Sequence, residues 1–392
     1  MTYPKPFSGS SPLRFLADDL DPPPERKQAA RDRYTDLGEF LTEVATNTVS
    51  RDVNVYPQGS YKLGTTTRDP FTGEFDVDLV IHVDFHKSEI SQQDLNDRVG
   101  GWLDLYANDR YFADSSLAPS GVKDGSRAWT LVYDDHFHMD ALPVAAANPG
   151  EIPSTAGTPE WLTDKSFRNW LETNPSGLAE WFKSLTRPEL ETRAKVAKVE
   201  VEELPPEQAK SSMQRAIQIL KRHRDHTFED DEADLAPPSV LITVLVGLAY
   251  LQEIPYGGDV GDVLRAVVPS MPEFLQPKSG ELWLPNPTCI DENYADRYDG
   301  RRDKEKALYT WLEQVDRDLE DLADTKGLDA LEQRFNHVFG AGYGSRVARK
   351  VGEELQAHSQ AGSLFTSAAG GLSTAASDRP PNPGHTFYGE TP

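Results

Sequence analysis

Cysteine is almost absent from these 392 residues, with Cys289 standing alone. A single cysteine excludes an internal disulfide and suits a reducing compartment. Long apolar runs are missing as well. The most apolar stretch, residues 240–251, has 12 residues, too few to span a bilayer and ordinary for a buried helix. The start of the chain, Met1-Thr2-Tyr3-Pro4-Lys5-Pro6, lacks the apolar segment of a secretory signal. Positive charge is scarce: 40 Lys and Arg face 64 Asp and Glu, a formal net charge of −24. Binding along a nucleic-acid duplex relies on cations that neutralise phosphates, so this balance argues against such a partner. It is compatible with small triphosphates that reach a locally basic pocket as metal complexes. The expectation is a cytoplasmic protein with no membrane and no duplex partner.

What is present points to chemistry. The stretch Gln58-Gly59-Ser60-Tyr61-Lys62-Leu63-Gly64-Thr65 is followed by Phe75-Asp76-Val77-Asp78-Leu79-Val80-Ile81, with 15 residues between the Gly-Ser pair and the first aspartate. A tight glycine turn ahead of a strand bearing two carboxylates is suited to holding a triphosphate and its metal ions. Strand alternation puts Val77, Leu79, Ile81 and Val83 on one face and Asp76, Asp78, Val80 and His82 on the other. The two carboxylates then lie roughly 7 Å apart along the backbone and can converge on a Mg²⁺-type cation. Without a cation they repel, and one tends to keep its proton.

A third carboxylate comes from His136-Phe137-His138-Met139-Asp140-Ala141-Leu142-Pro143-Val144. Trp129–Tyr133, the acidic turn Asp134-Asp135 and residues 136–142 read as a hairpin, with Asp140 on the face of His138 and Leu142 and with Pro143 ending the strand. An Asp-x-Asp on a strand is by itself more often a solvated edge. Its conjunction with the Gly-Ser turn and a later strand aspartate is far more specific. His136 and His138 have no cysteine pair beside them and read as surface or site-wall residues, not zinc ligands. Tyr56 and Tyr133 read as core packing.

Further along, Met213, Ala216, Ile217 and Leu220 form the apolar stripe of an amphipathic helix that ends in Lys221, Arg222 and Arg224. The cluster is either a solvated basic end complementing the helix dipole or a phosphate contact, and Lys221 is the candidate for the β- and γ-phosphates. Ser239, after Pro237-Pro238, opens the apolar helix either as an ordinary cap or as a phosphate site at a positive helix end.

These motifs resemble the DNA polymerase β-like nucleotidyltransferase superfamily. More narrowly, they are similar to the bacterial CD-NTases, relatives of cyclic GMP-AMP synthase and oligoadenylate synthetase. The segments carrying the likeness are Gln58–Tyr61 with Asp76–Val80, then Met139-Asp140-Ala141-Leu142-Pro143, then Met213–Asp225 with Pro238–Thr243, within about residues 26–340. The resemblance implies a cytoplasmic enzyme joining ATP, GTP or pyrimidine triphosphates into cyclic di- or trinucleotides that signal phage infection to an effector. It implies two Mg²⁺ or Mn²⁺ ions on Asp76, Asp78 and Asp140, a nucleotide pocket that includes Gln58, Gly59, Ser60 and Tyr61, and a triphosphate contact at Ser239. The fold expected is α+β: a polymerase β-like core with a mixed sheet, a helical domain, and the nucleotide cleft between them.

The expected organisation is a flexible N-terminus over residues 1–25, then a catalytic core over 26–205 that starts with a spine helix at 26–48. Within it, residues 151–205 form an acidic connection with helical pieces around Trp161, Trp170 and Trp181. A helical domain covers 206–345, and residues 356–392 form a disordered tail ending in His385-Thr386-Phe387-Tyr388-Gly389. That terminal motif suggests a recognition or modification peptide for a regulatory protein. Residues 286–296 read as a helix-initiating turn that carries one base-reading side chain. Two other functions are open to the same residues: a nucleotidyltransferase making linear products or adenylylating a macromolecule, and a nucleotide-binding protein without chemistry.

Overall fold

The computed structural model describes residues 12–69, 71–114, 116–125, 128–150, 158–163, 170–203, 209–253, 258–363, 365–366 and 372–373. The described residues start with α1 (Pro12–Leu20) and the spine helix α2 (Pro24–Val49), which ends at Ser50 in the left-handed region. Next come β1 (Val53–Pro57), the one-turn helix α3 (Gly59–Leu63), β2 (Phe75–His86), α4 (Gln92–Ala113), β3 (Gly121–Asp124), β4 (Trp129–Tyr133), β5 (Phe137–Ala146), β6 (Glu160–Leu162) and β7 (Leu171–Thr173). These strands form one mixed sheet in the order β1-β2-β5-β4-β3, with β6 added to β5 and β7 to β6. The β2–β5 pair is parallel and its neighbours are antiparallel.

The alternation in β2 acts as expected. Val77, Leu79, Ile81 and Val83 are buried against Leu37, Leu41 and Ala45 of α2 and Leu95, Val99, Trp102, Leu103 and Tyr106 of α4. On the other face Val80 packs with Val144 and Leu162, further along the strand from Asp76 and Asp78. Period 2 thus gives the sheet an apolar back and a front that is polar at one end.

Pro143 does not end its strand. β5 continues to Ala146, because β4 pairs with it only through Ala141 and β6 takes over at Val144. Pro143 falls between the two partners, where a missing N–H costs no ladder bond, and its carbonyl accepts from Thr163.

Beyond β7 the chain is mainly helical: α5 (Pro175–Ala197), α6 (Ser212–Thr227), α7 (Ser239–Glu253) and α8 (Val260–Ser270). Four short strands follow, β8 (Gln276–Lys278), β9 (Glu281–Trp283), β10 (Pro285–Asn286) and β11 (Cys289–Asn293). The helices α9 (Arg302–Asp324), α10 (Leu328–Phe339) and α11 (Tyr343–Gln360) complete the lobe, before a small pairing of β12 (Phe365–Thr366) with β13 (Leu372–Ser373). The stretch 232–253 is long and apolar enough for a bilayer by length and composition, longer than the 12-residue run suggested. In this fold α7 is the centre of the helical core, with Leu241, Ile242, Val244, Leu245, Val246 and Ala249 fully buried, as expected for a helix apolar all round.

Four expectations on organisation are corrected. Residues 12–20 of the supposed flexible N-terminus form α1, whose Leu13, Leu16, Ala17 and Leu20 lie on one stripe and are buried in the helical core. Trp161 lies in β6 and Trp170 in no helix; only Trp181 is helical, and Leu178, Phe182 and Leu185 of its helix α5 join the helical lobe. Residues 286–293 form a hairpin, not a helix start, because Asn293 ties Leu284 N–H, Leu282 C=O and Ala295 N–H together. Residues 356–360 continue α11, so the tail begins later than expected. The terminal stretch 385–389 lies outside the described residues.

Candidate active site

The parallel register pairs Asp78 directly with Asp140, and Asp76 with His138. Alternation on both strands therefore gathers Asp76, Asp78, His138 and Asp140 on the front face. Thr130, opposite Asp140 on β4, donates its hydroxyl to Asp140 Oδ1 at 2.6 Å and leaves the other oxygen free of it. His138 Nδ1 stands 3.4 Å from both Asp76 and Glu74, which makes it a site-wall residue. His136 lies in the tight turn before β5, with φ 57°.

The glycine turn is folded against these carboxylates. Gln58 N–H donates to Asp78 C=O at 2.8 Å, continuing the β1–β2 ladder into the turn. Gly59 has φ 55°, and a Cβ there would come 2.2 Å from Asp78 Oδ2. Only glycine meets both conditions. The Ser60 N–H donates to the Asp78 carboxylate, and the Ser60 hydroxyl lies 3.3 Å from that of Thr66.

Electrostatics at this point are strained. Burial, then the charges of Asp140 and Asp76, push the Asp78 carboxyl up to about 6, against the opposing pull of Lys221 and the Ser60 N–H. Asp76, more exposed at its tip, is also raised, by desolvation and then by Asp140. Three carboxylates with this little compensation are a donor set that a hard, oxygen-seeking cation would relieve. They are spread over two strands, and among the described residues no three-ligand cage is already closed.

A cleft of about 500 Å³ opens beside Asp78. The glycine turn and α3 contribute Gln58, Gly59 and Lys62 to its lining, β5 Leu142, the helical lobe Leu178, Ala179, Pro238 and Val240, and the segment from β9 to just past β11 Trp283, Asp291, Tyr294 and Arg297. Half-buried Glu292, another lining residue, accepts from Thr173, Asn286 and Tyr294 and so fixes the wall at that end. Burial, the largest effect, raises its carboxyl. A more open groove of about 640 Å³ runs along α2 and β1 and contains none of the three catalytic candidates.

The structure brings some of the expected nucleotide residues to the cleft and leaves others behind it. Gln58 and Gly59 line it. Tyr61 does not: in helical α3 successive side chains turn by about 100°, so its hydroxyl donates to Lys27 C=O at 3.0 Å while its ring meets Tyr34. Lys62, next in α3 and unremarked in the sequence, lines the opening, as does Arg297. Lys221 is buried behind the turn and donates to Thr65 C=O at 3.1 Å and to its hydroxyl at 3.3 Å. Burial and then Arg224 push its amine down to about 7. Ser239 accepts from Arg224 at 3.0 Å, next to the cleft residues Pro238 and Val240. Arg222 turns away to Phe339 C=O and the Tyr343 ring. Trp283 and Arg297 carried no motif, because only the folded hairpin brings them to the cleft.

Comparison with known proteins places this geometry. No family model matches the chain. It is 25% identical over 316 residues to a c-di-GMP synthase of Roseivirga ehrenbergii, covering 78% of this chain and 77% of that protein. It is also 25% identical to the cyclic dinucleotide synthase CdnG of Bradyrhizobium diazoefficiens, covering 96% of this chain and 94% of that one. The structure of the Bradyrhizobium CD-NTase CdnG in complex with GTP superposes with a TM-score of 0.69 at 22% identity, over 87% of this chain and 97% of that one. The Vibrio cholerae cyclic AMP-GMP synthase DncV gives 0.57 at 13% identity, over 85% and 97%. The motifs, the polymerase β-like fold and the curated relatives agree: the chain is similar throughout to bacterial CD-NTases.

Proposed function

We propose that this chain joins nucleoside triphosphates into a cyclic di- or trinucleotide and releases pyrophosphate, with divalent metal held on Asp76, Asp78 and Asp140. The observation that carries the reading is the direct pairing of Asp78 with Asp140, beside the Gly59 turn at a cleft able to hold nucleotides. The curated relatives are named as cyclic dinucleotide synthases, and DncV has been seen with a linear intermediate, 5′-pppA(3′,5′)pG.

Asp76, Asp78 and Asp140 would hold Mg²⁺ or Mn²⁺, which would supply charge stabilisation for the attacking and the leaving oxygen. The chain's own groups do the rest. Gly59 lets the turn approach the triphosphate closely, and the Ser60 N–H and hydroxyl offer donors once Asp78 is otherwise engaged. Lys62 at the cleft and Lys221 behind the turn supply positive charge. Asp140, held by Thr130 through one oxygen, presents the other to the ribose hydroxyl of the acceptor nucleotide. The proton passes to that carboxylate as the new oxygen–phosphorus bond forms and the bond to pyrophosphate breaks.

The test uses the purified protein with all four ribonucleoside triphosphates and Mg²⁺ or Mn²⁺, then phosphatase treatment and mass spectrometry. A phosphatase-resistant oligonucleotide, absent with D76N/D78N, is expected and names the bases. A phosphatase-sensitive oligomer would replace the cyclic reading with the linear one.

The product's place is proposed to be cytoplasmic anti-phage signalling through an effector, as the resemblance implies. One relative, CdnC, has been seen with a HORMA protein. For this chain we propose that a regulatory partner binds or modifies the tail. Deleting residues 380–392 is expected to abolish partner capture and spare basal synthesis; unchanged capture refutes it.

A further inference from the structure

Three side chains of α6 grip the segment that follows the glycine turn. Gln214 Nε2 donates to Leu63 C=O at 2.8 Å, Lys221 Nζ to Thr65 C=O at 3.1 Å, and Gln218 Nε2 to Thr66 C=O at 2.6 Å. Positions 214, 218 and 221 follow the i, i+4, i+7 spacing of one helix face. A face of the helical lobe is thus devoted to backbone carbonyls of the catalytic lobe.

Gln218 has the most consequential place of the three. It is fully buried, as is Thr65, and Thr66 is 5% exposed. From Thr66 the path to the turn is short. The Thr66 and Ser60 hydroxyls are 3.3 Å apart, and Thr65 N–H donates to Ser60 C=O at 2.9 Å. Ser60 N–H in turn meets Asp78. Gln218 Nε2 also stands 3.4 Å from Asp21 Oδ1, a carboxylate that pairs with Lys27 and Lys210. Gln218 Oε1, by contrast, is buried with no hydrogen-bond partner. A buried amide that leaves its acceptor unsatisfied loses free energy. What it gains is one short bond to the backbone beside the turn.

We propose that Gln218 is a positioning residue for nucleotidyl transfer: through Thr66 it fixes the Ser60 hydroxyl and amide at the triphosphate. The inference rests on the reading that the Gly59-Ser60 turn holds that triphosphate. Gln218→Met keeps the length and removes both the donor and the orphaned acceptor, so stability changes little while Thr66 loses its anchor. Thr66→Val cuts the same path one step later, and Thr66→Ser restores the hydroxyl.

The experiment measures binding of a non-hydrolysable nucleoside triphosphate and of the matching monophosphate, both with Mg²⁺, alongside thermal unfolding. Expected for Q218M and T66V is a loss on the order of tenfold in triphosphate affinity, the scale of one misplaced hydrogen bond. Monophosphate affinity stays, and T66S recovers most of the loss. Equal losses for both ligands, or none in a folded variant, overturn the proposal. Wild-type protein that binds no triphosphate overturns the site reading and this inference with it. Binding with the expected pattern but no oligonucleotide product leaves the positioning role supported and removes only the synthase reading.

Discussion

Gly59 and Asp78 form one unit, since the space a side chain would take at 59 is filled by Asp78 Oδ2. Gly59→Ala forces the carboxylate aside and strains the left-handed backbone. Turnover of triphosphates is expected to fall at least about a hundredfold, the scale of losing a positioned donor, with a smaller loss of stability. Retained turnover in a steady-state assay would remove Gly59 from the site. Asp78→Asn tests the electrostatics differently. The Asp78 carboxyl titrates near 6 in the fold, above its unfolded value. Its stabilising contribution is therefore full below the unfolded value and lost as pH rises through about 6. Asparagine mimics the protonated form at every pH. Metal-free D78N is expected to be more stable than wild type at pH 7.5, by on the order of 1–3 kcal/mol, with the gap closing toward pH 4. Urea titrations at the two pH values check this; a destabilised D78N at pH 7.5 would contradict it.

At this scale the carboxylates were legible, because strand alternation fixes the side of Asp76, Asp78 and Asp140 once the strands are recognised. Tyr61 was not. The turn after Gly59 is helical, and a 100° step per residue gives the cleft Lys62 and gives α2 the tyrosine.

Elements were legible where a long period repeats, as in α2, β2 and α6. They were hidden where the signal is brief or the partner distant. α1 has nine residues, its stripe has four apolar positions, and its core lies mostly more than 150 residues further along the chain, so composition alone suggested a loose end. Leu16 is fully buried in that core. Leu16→Ala is expected to cost about 2–5 kcal/mol, read by chemical denaturation. A cost below about 0.5 kcal/mol, usual for surface sites, would mean α1 is not docked as described. Pro143 misled for a related reason: proline interrupts a ladder only where a partner needs its N–H, and the exchange of β4 for β6 removes that need. The hairpin at 286–293 depends on Asn293 tying three backbone groups, a pattern with no periodic signature.

In the whole molecule, the two-lobed plan with a cleft between was readable, and the assignment of segments to lobes was not. The helical lobe draws on both ends of the chain. Lys350 of α11 pairs with Asp19 at 2.7 Å, Glu354 pairs with Arg14, and Arg215 of α6 pairs with Asp18. Asp21, directly after α1, then meets Lys27 of the spine and Lys210 before α6, while Arg68 donates to its carbonyl. Four of these contacts, Arg14–Glu354, Asp19–Lys350, Asp18–Arg215 and Asp21–Lys210, join residues 189 to 340 positions apart, and no local pattern announces them. Around them the chain leaves a cleft that Asp78 lines, with Asp140 paired beside it on the neighbouring strand, and the proposed chemistry depends on what these carboxylates do.

The most direct measurement is pyrophosphate release from a mixture of the four ribonucleoside triphosphates with Mg²⁺, by wild type, D78N and D140N matched for folding. Release by wild type and a fall of at least about a hundredfold in each variant is the predicted result. Variants that release pyrophosphate as fast as wild type would show that the Asp78–Asp140 pair is not where the chemistry happens.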